Sequence, residues 1–535
     1  MLCFRQLLAV GFLAIPGWGF AQSVAEKIDT HIAAKTGGPV AARSSDGEFL
    51  RRVYLDLAGR IPTIAEQSAF VAETAADKRV KRIDQLLASE DYVRRMQQFL
   101  HTFLMERQGD HAEWQKFLHT SLAANKPWNQ IVREIVSPNA ESEETRGAAF
   151  FYTKRLDKYG QNDVDTPGLV RDVGRLFLGI DVQCAQCHDH LFVDDYKQEY
   201  YHGLLAFVGQ AAIRTDKPFP AVLEKPLTTK LEFMSVFVKE ARQTGPRIPG
   251  RGEMEIPVFA KGEEFAVPPD PKTKTPGVPK FSVLKALGEE LPTAENQLFR
   301  RNIANRLWWL MLGRGLVHPL DLQHAGNPPS HPELYDLLAD ELAAHQFDLK
   351  WLLREIALSE TYQRTSVAPD ESFLQSPPDR YRVALEKPLL AEQIVTAVLV
   401  ATGEWERVQQ ITDVKNESHY STLAERFAKA FAQPPKEPEV EHAPSVKGAL
   451  FLMNDAVVLS WLKPREKNLA GRLKELTEPA AVAEELYRSV LSRSPAAEEV
   501  AFVTAQWNKD EAQRDAAIRD LVWGLLASNE FAVNH

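Results

Sequence analysis

The sequence is poor in cysteine, with three among 535 residues. Cys3 lies in an N-terminal segment that we expect to be removed, which leaves Cys184 and Cys187. An exported chain of this size with one cysteine pair is not a disulfide framework of the kind that holds small secreted domains together. Its fold therefore depends on a hydrophobic core, and 44% hydrophobic with 25% charged residues is the composition of an ordinary globular protein.

Long hydrophobic runs are also missing. The apolar run at residues 7–15 is shorter than the roughly 20 residues that a membrane-spanning helix needs. It follows the positive charge of Arg5 and precedes small residues that end at Ala21, which is the order found in a secretory signal peptide. We therefore expect residues 1–21 to be a signal peptide and residues 22–535 to be exported to the periplasm or cell envelope, without a transmembrane segment.

The chain has no excess of basic charge and no common hydrolase motif. Its formal net charge is -10, which argues against an extended binding surface for nucleic acid or anionic lipid. The sequence contains no G-x-S-x-G nucleophile elbow, no phosphate-binding P-loop and no H-E-x-x-H zinc helix. It therefore gives no reason to expect a nucleic-acid partner or hydrolase chemistry, and a redox role stays open.

Helical patterning covers most of the chain. Residues 80–104 place apolar side chains three to four positions apart, as on one face of a helix. Thr63 with Glu66, and Ser330 with Glu333, have the spacing of capping boxes at helix starts. The sequence therefore predicts a mainly α fold.

Proline-rich segments mark the expected domain boundaries. The longest, at residues 243–295, includes "VPPDPKTKTPGVPK", where proline excludes helix. We expect a helical domain at 22–242, a proline-rich connector at 243–295 and a second helical domain at 296–535. Within the connector, "EIPVFAKGEEFAV" favours a short β-hairpin or a strap docked between the domains, because a disordered linker has fewer apolar residues. Its apolar residues are Ile256, Val258, Phe259, Phe265 and Val267. Such a strap would place the cysteine motif of residues 184–190 near the domain junction, where binding clefts commonly form.

The two remaining cysteines lie in the motif "CAQCHDH" at residues 184–190. Cys184 and Cys187 are one helical turn apart and His188 follows at once, which is the pattern of covalent haem attachment. Two thiols at this spacing add to the two haem vinyl groups, and the adjacent imidazole ligates the iron. The motif therefore predicts one c-type haem with His188 as axial ligand, serving one-electron transfer with a redox partner.

The ligand on the opposite side of the iron is left open by the sequence. His190 is too near His188 to reach that side. Three more distant residues carry a suitable sulfur or nitrogen atom, and these are Met234, Met254 and His202. Otherwise the iron would have an open position.

Other chemistries suit the same atoms. Cys184, Cys187, His188 and His190 offer the ligands of tetrahedral zinc, although four ligands within seven residues are strained. Acidic residues of the same segment would suit calcium or support a ligand; they are Asp189, Asp194 and Asp195. The cysteines would alternatively form a structural disulfide or thiol pair. The protein would then be a non-haem binding or scaffold protein of the cell envelope, with polysaccharide or an envelope component as its partner.

Several segments resemble one family. "GRLFLGIDVQCAQCHDHLF", "QEYYHGLLAFV" and "RRVYLDLAGRIPT" are similar to a secreted, cytochrome-like family of planctomycetes and related bacteria, a domain of unknown function called DUF1549. "NRLWWLMLGRGLV" and "GNPPSHPELYDLLADEL" resemble its usual partner domain, DUF1553. The resemblance implies a secreted, mostly helical protein of two domains, with the cysteine motif in the first. It brings no settled activity.

The sequence departs from that family at two points. Val193 stands where the family commonly has aspartate, with Asp194 and Asp195 next. If that acid orients a ligand, its role has moved or been lost. Longer relatives begin with a separate cytochrome module that carries its own haem motif, and this sequence contains no such module.

Two further groups of residues suggest a site less strongly. Several histidines lie close in sequence to an aspartate, within the segment "GRGLVHPLDLQHAGNPPSHPE" and shortly after it. We interpret this segment as a helix-loop-helix corner in preference to a metal or acid-base site. They are His318, His324, His331 and His345, with Asp321. The aromatic pairs Trp308–Trp309 and Tyr200–Tyr201 would suit sugar rings or flank haem, but aromatic residues in helices are more often core.

Overall fold

The computed structural model describes residues 22–158, 163–273, 275–436, 446–507 and 513–535. The expected signal peptide at residues 1–21, with Cys3, lies outside the described residues. Helices dominate the rest, which confirms the mainly α prediction. None of the helices in these ranges combines the length and the hydrophobicity of a membrane-spanning segment.

The chain up to the cysteine motif is helical. Its helices are α1 (Val24–Ala33), α2 (Asp46–Leu57), α3 (Ile64–Ala72), α4 (Lys78–Leu87), α5 (Glu90–Met105), α6 (Ala112–Ala123), α7 (Trp128–Val136), α8 (Phe150–Leu156) and α9 (Thr166–Val173). Helix α9 continues into a π-helical turn at Gly174–Leu178, and 3₁₀ turns lie at Arg146–Ala149 and Cys184–Gln186. Helix α10 (Gln198–Val208) follows the motif.

The second part of the chain is again mostly helical. Its helices are α11 (Val283–Glu290), α12 (Gln297–Leu312), α13 (Pro332–Ala344), α14 (Leu349–Leu358), α15 (Glu371–Leu374), α16 (Ala391–Thr402), α17 (Trp405–Gln409), α18 (Tyr420–Phe431), α19 (Val446–Asn454), α20 (Ala456–Trp461), α21 (Leu469–Glu475), α22 (Pro479–Leu491), α23 (Ala497–Trp507) and α24 (Arg514–Leu526). A 3₁₀ turn lies at Pro378–Arg380.

Within the described ranges, the strands pair only as two-stranded antiparallel ribbons. They are β1 (Ala211–Ile213) with β2 (Val222–Glu224), β3 (Leu231–Met234) with β4 (Ala241–Thr244), β5 (Phe265–Val267) with β6 (Val278–Pro279), and β7 (Lys387–Pro388) with β8 (Val533–Asn534). The last ribbon joins two segments far apart in sequence.

The predicted helix at 80–104 is divided into α4 and α5. The hydroxyl of Ser89 donates to the carbonyl of Leu86 at 2.6 Å and accepts the N–H of Tyr92 at 3.2 Å. Ser89 therefore ends one helix and caps the next, which is the usual role of serine at such positions.

Of the two predicted capping boxes, only the first forms. Thr63 and Glu66 exchange both hydrogen bonds at the start of α3. The box at Ser330 and Glu333 is wrong, because α13 begins at Pro332 with His331 at its N-cap position and without a side-chain cap. Proline suits a first helical position, where its missing N–H costs no helical hydrogen bond.

Among the described residues, the buried hydrophobic side chains form two clusters. The first contains residues between Val24 and Tyr381, so it takes side chains from both sides of residues 243–295. The second lies within residues 389–531 and also includes Leu55 and Ile61 of the N-terminal part. The core is thus continuous across the expected connector, and the division into domains at 22–242 and 296–535 stays a prediction.

The expected connector packs partly against this core. Helix α11 lies against α7 and α10, and Ile256 packs on the first cluster. Phe259 and Phe265 are half-buried, whereas Val258 and Val267 are exposed. The hairpin differs from the expected one, since the residues that pair with β5 lie further along the chain, in β6.

A buried ion network joins the first helices to α12. Arg175, in the π-helical turn, donates to both carboxylate oxygens of Glu106 at 2.8 and 2.7 Å, and to Asp172 at 3.1 Å. It also donates to Asp321 at 2.8 Å, and Asp321 accepts a second hydrogen bond from Arg306 of α12. The turn that leads into the cysteine motif is therefore fixed to both parts of the chain.

Candidate haem-attachment site

The cysteines lie on a short turn between the π-helical turn and α10. Both thiols are free and exposed, whereas Ala185 between them is fully buried. The carbonyl of Cys187 accepts the N–H of Val236 at 3.0 Å. The buried alanine anchors the turn, so that the two cysteine side chains lie on the protein surface.

His188 has one ring nitrogen fixed and one free to act as a ligand. Its Nδ1 lies 2.7 Å from the carbonyl oxygen of Asp189. Because a carbonyl oxygen only accepts hydrogen bonds, Nδ1 carries the hydrogen and Nε2 of the neutral ring carries the lone pair. Histidines that ligate metals usually have this arrangement, with the second nitrogen donating to a carbonyl or carboxylate.

His190 has the opposite arrangement. Its Nδ1 accepts the backbone N–H groups of Phe192 and Val193, at 3.2 and 3.0 Å. The hydrogen of the neutral ring is therefore on Nε2. The backbone N–H of His190 also donates to the carbonyl of Tyr196 at 2.9 Å. His190 thus shapes the loop, and neither of its nitrogens offers a lone pair to a metal.

The acidic residues near the motif have partners of their own. Asp189 accepts the N–H of Gln198, the first residue of α10, at 2.7 Å. Asp194 is exposed and lies 3.8 Å from Lys197. Asp195 accepts the N–H of Ala325 at 2.5 Å. Nowhere in the described ranges do three histidine, cysteine or acidic side chains gather as a metal site, and the zinc or calcium set that the sequence left open stays a prediction.

Two of the three residues considered as a sixth ligand lie beside the motif. The carbonyls of Met234 and Gln186 both accept from the amide of Gln198, at 3.3 Å, and the Met234 side chain is exposed. His202 lies with Nε2 3.3 Å from the Gln186 carbonyl, and burial lowers its pKa.

The third residue, Met254, packs against the first core cluster. Met234 and His202 are therefore the two of these three residues that the fold brings near the motif.

Exposed apolar side chains flank the motif. They come from residues 191–192, which follow the motif directly, and from residues 234–238. The second segment lies beside the motif, since the Phe237 ring is 4.8 Å from the His188 ring. We call them the apolar collar: Leu191 (63% exposed), Phe192 (90%), Met234 (53%), Val236 (60%), Phe237 (64%) and Val238 (57%). A group of large exposed apolar side chains marks a surface that a ligand or partner covers.

A wide cleft lies next to the motif. It encloses about 1300 Å³, part of it open to solvent, and residues from both expected domains line it. Tyr196 stands between the two sides, with its ring 5.9 Å from that of His190 and 5.4 Å from that of His324. Its hydroxyl donates to the carbonyl of Gln323 at 3.3 Å.

Comparison with known proteins gives the chain its family. Residues 27–212 match the model PSCyt2, a protein of unknown function (DUF1549), and residues 285–507 match PSD1, a protein of unknown function (DUF1553). The chain belongs to the family that carries this pair of domains. No curated protein and no solved structure matches it. The resemblance seen in the sequence is thereby confirmed, and the cysteine motif lies in the DUF1549 region.

The histidines singled out in the DUF1553 sequence do not gather into a metal site in the part of the chain that the structure describes. His324 lines the wide cleft, His345 stacks on Trp351 with ring centroids 3.6 Å apart, and His331 is buried, which lowers its pKa to about 4. Asp321 belongs to the ion network described above. This segment is a corner between helices, as the sequence indicated.

The aromatic pairs divide between core and cleft. Trp308 and Tyr201 are buried, and the Trp308 indole donates to Tyr381 at 2.9 Å. Trp309 and Tyr200 are half-buried and line clefts. Successive helical residues point about 100° apart, so one member of each pair faces away from the core.

The residues at the DUF1549 motif fit covalent haem. Two exposed thiols, an imidazole with Nε2 available and an exposed apolar surface lie together. Sequence reasoning missed the apolar collar, although the apolar run "FMSVFV" at residues 233–238 is unusual for an otherwise polar loop segment.

Proposed function

We propose that this DUF1549–DUF1553 protein is a c-type haem protein, exported to the periplasm or cell envelope, that serves one-electron transfer. Cys184 and Cys187 hold the haem by thioether bonds, and His188 ligates the iron through Nε2. The observation that carries the proposal is the fixed tautomer of His188 beside two free, exposed thiols. The bound haem supplies the one-electron chemistry.

The residues around the motif have separate roles. The Asp189 carbonyl holds the His188 ring and raises the electron density at Nε2. His190 keeps the loop closed through its hydrogen bonds to the backbone at residues 192–193. The apolar collar would offer a bound haem an apolar surface, and its removal from water would favour binding through the hydrophobic effect.

Electron exchange requires access for a partner. The thiols lie at the surface and the wide cleft adjoins the motif through Tyr196. A redox partner can therefore approach the haem edge without rearrangement of the core.

Mass spectrometry of the intact protein tests attachment. The chain is expressed with a haem-maturation system, and its mass is compared with that of a Cys184→Ser, Cys187→Ser double variant. We expect the wild type to carry the mass of one haem under denaturing conditions and the double variant to carry none. A wild-type mass that equals that of the mature polypeptide contradicts the proposal.

The wide cleft supports a second candidate function, that of a non-haem binding or scaffold protein of the envelope. None of the motif residues 184–190 is in the lining of the cleft, whereas tyrosines such as Tyr196 and Tyr200 line it. Such side chains combine an apolar ring with a hydroxyl and suit polysaccharide or a protein partner. Elemental analysis separates the two functions, because iron near one per chain supports haem, whereas zinc or calcium without iron supports the alternative.

A further inference from the structure

A second cleft, unrelated to the cysteine motif, lies where α5 and the end of α12 meet the ribbon of β7 and β8. It encloses about 550 Å³, part of it open to solvent. Its walls are mostly apolar, but five polar residues line it. Gln393 is paired at both ends of its amide, with the backbone of residues 390 and 55. We call the other four the charged cluster: Asp56, Arg95, Lys387 and Asn534.

Lys387 and Asp56 form an ion pair with each other. The ammonium group donates to Asp56 at 2.5 Å and to the carbonyls of residues 310–311 at 3.1 and 2.8 Å. These carbonyls lie at the end of α12, where a cation is favoured by the helix dipole. Asp56 also accepts from Tyr362 at 2.9 Å and from the Asn534 amide at 2.8 Å. The Asp56 charge is therefore already compensated by Lys387.

Arg95 has no such compensation. It is 2% exposed, its Nε donates to the backbone carbonyl of Asp56 at 3.4 Å, and its Nη1 has no partner among the described residues. Burial lowers its pKa to about 10. The nearby Glu392 is held by both guanidinium nitrogens of Arg107, at 2.7 and 3.1 Å. The charged cluster thus has one excess positive charge, and an uncompensated buried charge is costly.

Asn534 leaves an acceptor unused at the same place. It is 2% exposed, and its Oδ1 has no partner within the described part of the chain. Its Nδ2 donates to oxygen atoms of Asp56 and Arg52, which fixes the orientation of the amide. A ligand that satisfies both Arg95 and Asn534 needs a negative charge and a hydrogen-bond donor.

We propose that this cleft binds a small hydroxylated carboxylate, with Arg95 pairing with its carboxylate and Asn534 Oδ1 accepting from its hydroxyl. The apolar wall, which includes Trp309 and Leu390, receives the carbon skeleton. Both unpaired atoms are covered from solvent, and both residues line the cleft. This inference is independent of the haem proposal, because it uses none of the motif residues.

Isothermal titration calorimetry on the full-length mature protein tests the site with three probes of similar size. Glycolate has both the charge and the hydroxyl, acetate lacks the hydroxyl, and glycolamide lacks the charge. We expect glycolate to bind about tenfold or more tightly than either analogue, since acetate loses the hydrogen bond to Asn534 and glycolamide loses the ion pair with Arg95. Equal affinity for all three probes, or no heat of binding with any of them, contradicts the proposal.

A matched pair of arginine variants locates the binding. Arg95→Met keeps the volume and removes the charge, and it is expected to weaken glycolate binding about tenfold or more while leaving the chain folded. Arg94→Met, on the same helix, is the control, because Arg94 pairs with Asp91 and does not line the cleft. Unchanged glycolate affinity in Arg95→Met places the binding elsewhere. The probe series on the wild type decides the matter if Arg95→Met does not fold.

Discussion

Nδ1 of His188 donates to the carbonyl of Asp189, whereas Nδ1 of His190 accepts from the backbone two and three residues ahead. Two histidines separated by one residue therefore hold opposite tautomers. The Nε2 lone pair of His188 is available to a metal, and the corresponding nitrogen of His190 carries a hydrogen. This difference favours His188 over His190 as the proposed ligand and makes His190 a structural residue of the loop.

Substitution of the two histidines is expected to have different effects. His188→Ala removes the proposed ligand, so we expect haem that attaches to have an altered Soret band and to bind added imidazole. His190→Gln keeps an acceptor for the loop N–H groups and is expected to leave the spectrum of attached haem unchanged. Visible absorption spectra of both purified variants, with and without imidazole, make the comparison. Identical spectra for the two variants are the result that rules out a distinct ligand role for His188.

The apolar collar is expected to be accessible to solvent before haem attachment. Protein made without haem maturation should enhance the fluorescence of a hydrophobic dye, and the haem-loaded protein should do so less, because the ring covers the collar. Phe237→Ser should reduce the dye signal of the haem-free form. Val258→Ser is the matched control, since Val258 is also exposed but lies outside the collar. Equal dye binding with and without haem would show that the collar lies away from it.

The buried network around Arg175 is expected to dominate the stability of the motif-bearing turn. Arg175→Met leaves the carboxylate of Glu106 buried without its partner, whereas Asp172 keeps Arg155. Removal of one member of a buried ion pair costs about 3–5 kcal/mol. Arg519→Met is the control, because its partner Asp520 is exposed and such pairs contribute about 1 kcal/mol or less. Urea denaturation measures both. A loss below about 1 kcal/mol for Arg175→Met would contradict this account of the network.

Limited proteolysis is expected to leave the two halves of the chain together. The exposed turn at residues 261–263 is a favourable cleavage site. The fragments should still co-elute in gel filtration, because Asn302 and Arg306 of α12 donate to the carbonyls of residues 175–176, at 2.7 and 3.0 Å. Gel electrophoresis detects the cut and gel filtration detects the association. Two stable halves that separate without denaturant would mean that the core is not shared.

The features that could be predicted from the sequence are those that depend on the spacing of nearby residues. The helical class, the Thr63 capping box and the cysteine-histidine motif all rest on residues within a few positions of each other. The Ser330 box failed because Pro332 moves the helix start. The role of Asp321 was not predictable, since its partner Arg175 is far away in sequence and only the fold brings them together. The tautomers of His188 and His190 depend on the path of the loop, which no spacing rule gives.

The most direct test of the haem proposal is the pyridine haemochrome spectrum of the full-length protein expressed with a haem-maturation system. Cys184 and Cys187 are expected to give the absorption of a haem with two thioether bonds, at about one haem per chain. The same spectrum should disappear in the Cys184→Ser, Cys187→Ser double variant, while circular dichroism shows an unchanged helical fold. A folded wild-type protein with two free thiols and no haemochrome would contradict the account.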